Sequence, residues 1–175
     1  MDTYNLDGTK SSENDAVRPK KERPAPDPLL FADSEAVKEI AEKLISKHHH
    51  ELAGAKIVYL CRNKSAKSGG QPVPGHVKKA SPMEKHIARS YFDAGEEPDF
   101  FITVALDVWN DLQPNQRQAL VDHLLTRCQA IEDERTGEMK YSIRPPQVQE
   151  FPEVAERHGR WNDGLIELGN CLEDK

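Results

Sequence analysis

The chain is poor in cysteine and has no long apolar run. Its three cysteines, Cys61, Cys128 and Cys171, are far apart. They make no Cys-x-x-Cys pair and, being odd in number, no disulfide framework. A stapled secreted domain is therefore excluded, and a reducing compartment fits. No stretch is long and apolar enough to span a bilayer, and the first residues lack a signal-peptide core. A cytoplasmic location without membrane contact is the expectation. Internal repeats are missing, and so is a full phosphate loop. Ser68-Gly69-Gly70 is glycine-rich but lacks the Gly-x-x-x-x-Gly-Lys-Ser/Thr spacing.

What is present is a polar chain of 175 residues, 37% hydrophobic and 31% charged, with a formal net charge of -6. That length admits one domain of ordinary size plus tails. Residues 1–30 are rich in Pro, Lys and Glu, and cannot bury enough apolar surface to offset the entropy of ordering. They are expected to form a disordered basic, Pro-rich arm before a domain over 33–161 and a polar tail over 162–175. Charge is unevenly spread. From Lys56 to Arg89 the bases Lys56, Arg62, Lys64, Lys67, Lys78, Lys79, Lys85 and Arg89 face only Glu84. An acidic stretch follows, with Asp93, Glu96, Glu97, Asp99, Asp107 and Asp111.

The periodicities predict an α+β domain with a small mixed sheet. Asp33 or Ser34 caps a helix whose apolar positions are Ala36, Val37, Ile40, Leu44 and Ile45, ending near His48-His49-His50. Lys56 to Cys61 reads as a strand, and Pro72 to Val77 as at best an edge strand, since proline cannot donate to a ladder. Ser81-Pro82-Met83-Glu84 reads as a cap and helix start. Asp99 to Leu106 is the strongest strand. Gln113-Pro114 opens a long helix with the stripe Leu120, Val121, Leu124, Leu125 and Cys128. Thr136-Gly137 turns the chain, Lys140 to Ile143 forms a short strand, and a helix starts near Pro152.

One segment of the long helix carries a chemical signal by what it has lost. A zinc-peptidase helix reads His-Glu-x-x-His: two imidazoles one turn apart hold the metal, and the glutamate acts as general base. Here Val121-Asp122-His123-Leu124-Leu125-Thr126-Arg127 keeps the first histidine as His123. Leu124 stands at the base position and Arg127 at the second ligand position. One imidazole cannot chelate a catalytic zinc, and leucine cannot take a proton from water.

Around this helix the chain resembles the phage metallopeptidase family, from about Ile40 to Trp161. The matching pieces are Leu52-Ala53-Gly54-Ala55-Lys56-Ile57, Gly75-His76-Val77-Lys78-Lys79, Phe100 to Trp109, Gln118 to Leu124, Val148-Gln149-Glu150-Phe151, and His158-Gly159-Arg160-Trp161. The resemblance implies a minimal zincin fold, a phage or prophage origin, and a third ligand position near Pro146. It thus marks His123, Leu124, Arg127 and Pro146 as vestigial metal-site positions, with no metal or other cofactor expected. The implied function is a catalytically inactive peptidase scaffold that binds a host macromolecule, with a host protein as the favoured partner.

Two further readings stand beside it: nucleic-acid binding through the basic stretch, and a still-active enzyme with unconventional ligands. Candidate binding residues are Arg62, Lys64, Lys67, His76, Lys78, Lys79 and Lys85, since lysines and arginines on a loop can neutralise phosphates or meet an acidic protein surface. Arg127 is expected to put a fixed charge near the old metal position and to pair with Glu132, Glu150 or another acid. The three consecutive histidines point in different directions on a helix, so they are read as favourable charges at its C-terminus rather than as ligands.

Overall fold

The computed structural model describes residues 28–88 and 97–173. The expected disordered arm over 1–27, together with Arg89, Asp93 and Glu96 of the charged stretches, lies outside the described residues.

The fold is α+β. Its centre is strand β6 (Phe100–Ala105), which pairs in parallel with β2 (Ile57–Arg62) and antiparallel with β5 (Gly75–Lys79). Strand β1 (Phe31–Asp33) closes the other side, giving the order β1-β2-β6-β5. Alternation decides which face is covered. Phe100, Ile102 and Val104 of β6 are fully buried and stand beside Ile57, Tyr59 and Cys61 of β2 and Gly75 and Val77 of β5.

Two helices cover that face. Helix α1 (Glu35–His48) buries Val37, Ala41 and Leu44, one stripe at helical spacing. Helix α4 (Pro114–Arg127) buries Val121, Leu124 and Leu125. Proline at its first position suits a place where the missing N–H is needed by no partner, and the Gln113 N–H donates to Gln116 Oε1 at 2.9 Å. Between sheet and α4 lies the short helix α3 (Leu106–Trp109). The side chain of Arg117 stacks on Trp109 and donates to its carbonyl, tying α4 to α3. Helix α2 (Pro82–Ala88) starts as the sequence predicts: Glu84 Oε2 accepts from the Ser81 N–H and hydroxyl, at 2.9 and 2.8 Å.

Several expectations need correction. Order begins before residue 33: β1 pairs with β2, and Asn63 bonds both Pro28 and Leu30. Three residues are too few to show alternation, so this strand exists only through its partner. The proline-rich run splits in two. Strand β4 (Gln71–Val73) forms a hairpin with β3 (Ala66–Ser68), and β5 starts immediately after Pro74. Cys128 is not the last apolar position of α4 but the first residue of β7 (Cys128–Glu132), which pairs with β8 (Met139–Ile143). Its thiol still reaches the Leu124 carbonyl at 3.6 Å, so the side chain stays on the stripe while the backbone has turned.

The segment after Trp161 is no frayed tail. After helix α5 (Pro152–His158), helix α6 (Asp163–Glu173) follows, and Arg160 lies over Gly169 and pairs with Glu173. No helix among the described residues is long and apolar enough to cross a membrane.

Candidate functional site

The last two turns of α4 place Leu124 and Arg127 in unlike surroundings. Leu124 points inward and is 1% exposed. It packs on β5 so closely that a Cβ added at Gly75 would lie 2.7 Å from Leu124 Cδ1. The position at which a glutamate would have to meet water is therefore filled with hydrocarbon and pressed against an edge strand.

His123 and Arg127 lie one turn apart at the rim. They line one pocket of about 120 Å³ together with Thr126 and with Arg144, Pro145, Pro146 and Gln147 from the segment after β8. The three positions that the resemblance marks as metal ligands, 123, 127 and 146, thus border a single space. The backbone explains why: α4 runs directly into the β7–β8 hairpin, and the Arg144 N–H donates to the Arg127 carbonyl at 2.8 Å, folding the segment back over the helix end.

The donor set does not fit zinc. Of the four positions only His123 can donate a lone pair; Leu124 and Pro146 have no side-chain donor atom, and a guanidinium keeps its charge. Among the described residues, no three His, Cys, Asp or Glu side chains converge as metal ligands. Nor do the residues that line the pocket offer an activated nucleophile: their one hydroxyl, on Thr126, donates to the Asp122 carbonyl at 2.9 Å. Cys128 adjoins Arg127, but burial pushes its thiol up to about 12, against the smaller opposing effect of that arginine. At neutral pH it is not a thiolate.

The acids expected to pair with Arg127 do not do so. Glu150 accepts from the Trp161 indole at 2.8 Å and from the Phe151 N–H. Arg127 Nε is buried without a hydrogen-bond partner among the described residues.

The basic stretch is dispersed over four elements. Arg62 ends β2 and Lys64 follows it; Lys67 is on the β3–β4 hairpin; His76, Lys78 and Lys79 are on β5; Lys85 is on α2. Lys78 is bound to Glu84 at 2.6 Å, and Lys85 to Asp99 at 3.2 Å. Lys67 and Lys79 are exposed. The ring of His76 has its pKa lowered by partial burial and then by Arg127, Arg62 and Lys78, so a positive field extends from the end of α4 to the edge strand.

Three residues with defined roles escaped the sequence reading. His49, 7% exposed, sits with Nε2 2.7 Å from Asp122 Oδ1 and joins the end of α1 to α4. It is one of the three consecutive histidines, and only tertiary contact separates it from exposed His48 and His50. Asp99 accepts from the Lys56 N–H and from Lys85 Nζ, tying the start of β2 to α2. Arg144 faces the pocket from a loop without any periodic pattern.

Compared with known proteins, the chain matches over residues 30–169 the family described as "Putative phage metallopeptidase". The chain belongs to this family. No curated protein and no solved structure matches it. The matched span includes the sheet, α4, the pocket and the start of α6. Of the four marked positions in this chain only His123 carries a side-chain lone pair, so these residues do not by themselves make a zinc site.

Proposed function

We propose that this chain is a member of the phage metallopeptidase family that does not hydrolyse peptides and acts by binding a host macromolecule, a protein before a nucleic acid. One observation carries the first half. Leu124, at the position of the general base, is buried against Gly75, so neither a water nor a scissile bond meets a proton acceptor there. His123 alone gives no chelation to compensate.

The second half rests on surface. Among the described residues strand β5 is at the edge of its sheet, and His76, Lys78 and Lys79 on it are exposed. An unpaired edge is a template for an extended segment of another chain, and the positive field around His76 favours an acidic one. The ion pairs of Lys78 and Lys85 argue against the nucleic-acid reading, because two of the seven candidate bases already face carboxylates.

The test has two measurements. Untagged protein exposed to zinc and then dialysed is expected to retain no stoichiometric metal and to cleave no peptide from a mixed library. One tightly held zinc per chain would overturn the inactive reading. For the partner, affinity capture from host lysate is compared between the parent and a Lys67→Glu, Lys79→Glu variant. Capture of a protein that weakens with both changes and with salt supports the reading. Capture of nucleic acid instead favours its rival.

A further inference from the structure

Two arginines converge on the pocket at the end of α4 with no acid between them. Arg127 comes from the last turn of the helix and Arg144 from the segment folded back over it. Neither meets a carboxylate among the described residues, although the chain as a whole carries a net charge of -6. Of the two acids nearest to Arg127 in sequence, Asp122 is held by His49 and Glu132 is exposed on β7. Arg127 Nε is buried and meets no acceptor among the described residues. An orphaned donor of this kind costs about 1–3 kcal/mol. The guanidinium beyond it is not held from within, and Arg127 lines the pocket.

We propose that this pocket is an oxyanion site, taking one carboxylate or phosphate group between the guanidiniums of Arg127 and Arg144, with His123 and Gln147 as further donors at its rim. Guanidinium forks match the planar or tetrahedral oxygens of both groups, and such charge-assisted bonds are roughly twice as strong as neutral ones. The volume of about 120 Å³ sets the size of the guest. Whole small molecules occupy roughly 300–1,000 Å³, so this space holds a single functional group. The field agrees: after partial burial, the charge of Arg127 is the next cause that lowers the pKa of His76 at the edge strand. Two fixed positive charges thus stand where a family zinc site would offer a divalent ion, but they bind oxygen anions without activating water.

The inference deepens the binding reading and rests on it for its purpose, yet it is tested on the protein alone. The full-length chain, with its arginine and histidine side-chain nitrogens labelled, is titrated with inorganic phosphate and separately with acetate, at constant ionic strength against chloride. The expected result is a saturable shift of the Arg127 Nε–H and His123 ring signals with at least one anion. In Arg144→Gln the affinity is expected to fall by about tenfold or more, as for loss of one of two charge-assisted partners. Lys38→Gln, on α1 and outside the pocket lining, should bind as the parent does.

A shift with phosphate alone identifies a phosphate source, a shift with acetate alone a carboxylate presented by a partner chain, and a shift with both the shared site; each supports the proposal. No saturable shift with either anion overturns it, as does an equal shift in folded Arg144→Gln. Because Arg144 lies in an exposed segment, that variant keeps the test independent of core packing. The zinc and capture measurements are separate, so an anion site that fails leaves the binding reading standing, and the reverse also holds.

Discussion

The inner and outer sides of α4 obey different rules. Inside, Val121, Leu124 and Leu125 are almost fully buried and meet β5 and β6 in close contact. Outside, His123 and Arg127 line a small pocket with few internal partners. Residues 123 and 124 differ by about 100° around the helix, enough to pass from packed core to rim. The comparison teaches that packing and rim are separable on one helix. The core that fixes the helix on the sheet uses Val121, Leu124 and Leu125 and neither His123 nor Arg127, so the change of chemistry proposed for the rim leaves that packing intact.

The largest test breaks the inner side. Leu124→Ala removes a buried side chain seated on Gly75 and should cost about 3 kcal/mol through lost burial and a residual cavity. Leu124→Glu should cost more, because it puts a carboxylate into hydrocarbon. Urea unfolding with unchanged slope reads both. If Leu124→Glu is as stable as the parent, the position is open to water, and the main support for an inactive enzyme is gone.

A second, smaller effect is expected at Asp99, away from the helix. Asp99→Ala deletes bonds to the Lys56 N–H and to Lys85 and should cost about 2 kcal/mol. Asp99→Asn keeps an acceptor for the amide and loses the ion pair, so roughly half of that loss should remain. Equal thermal midpoints for both variants would place the whole contribution in the ion pair with Lys85.

How much of this was legible beforehand follows from distance along the chain. Strand β6, helices α1, α2 and α4 and the β8 turn are written in local periodicity and caps. The positions proposed as vestigial, His123, Leu124 and Arg127, could be picked out because the motif is contiguous. The β1 pairing, the His49–Asp122 contact and the Asp99 junction depend on residues that meet only in the fold, separated by 73 positions in the case of His49 and Asp122. Helix α6 escaped because Leu168 and Leu172 leave much of its apolar surface exposed, and a short amphipathic segment after a glycine reads as a tail. The arginine pocket was half visible. Arg127 stood out against the motif, but Arg144 lies among prolines and acquires meaning only through its bond to the Arg127 carbonyl.

The edge-strand side offers a pH test of intermediate size. Lys78 bonds Glu84, and with the Ser81 N–H and hydroxyl it holds that carboxyl down to about 2, from an ordinary value of 4.5. A depressed folded pKa means that the unfolded chain binds the proton first. The stabilisation is thus present above pH 4.5 and is lost as pH falls toward about 2. The Glu84 side chain is 26% exposed and Lys78 more so, and water screens the pair, so about 1 kcal/mol is the expected contribution. Asp107 and Asp133 are also held low, the first chiefly by the Ser65 N–H and the second chiefly by Lys140, so the whole acid limb is not the measure. The measure is the difference between parent and Glu84→Gln. It should shrink between pH 5 and pH 2, about the span of the shift. A difference independent of pH would mean that the Lys78 bond is not formed in solution.

The smallest expected effect decides what the outer side is for. Arg127 is half-buried with an orphaned Nε, so its charge brings little net stability to the free protein. Arg127→Met keeps the apolar stem and removes the unsatisfied donor. In buffer without carboxylate or phosphate its stability should lie within about 0.5 kcal/mol of the parent. Adding phosphate should then separate the two, because a ligand that binds only the native state raises its stability with the logarithm of one plus the ratio of its concentration to its Kd, and the variant has lost half of the guanidinium pair. A destabilised variant in anion-free buffer would instead make Arg127 a structural plug whose partner forms within the protein. A stable variant that gains as much from phosphate as the parent would leave the pocket as solvated surface. Only equal stability without anion and unequal stability with it fits a rim that has exchanged a metal for an anion.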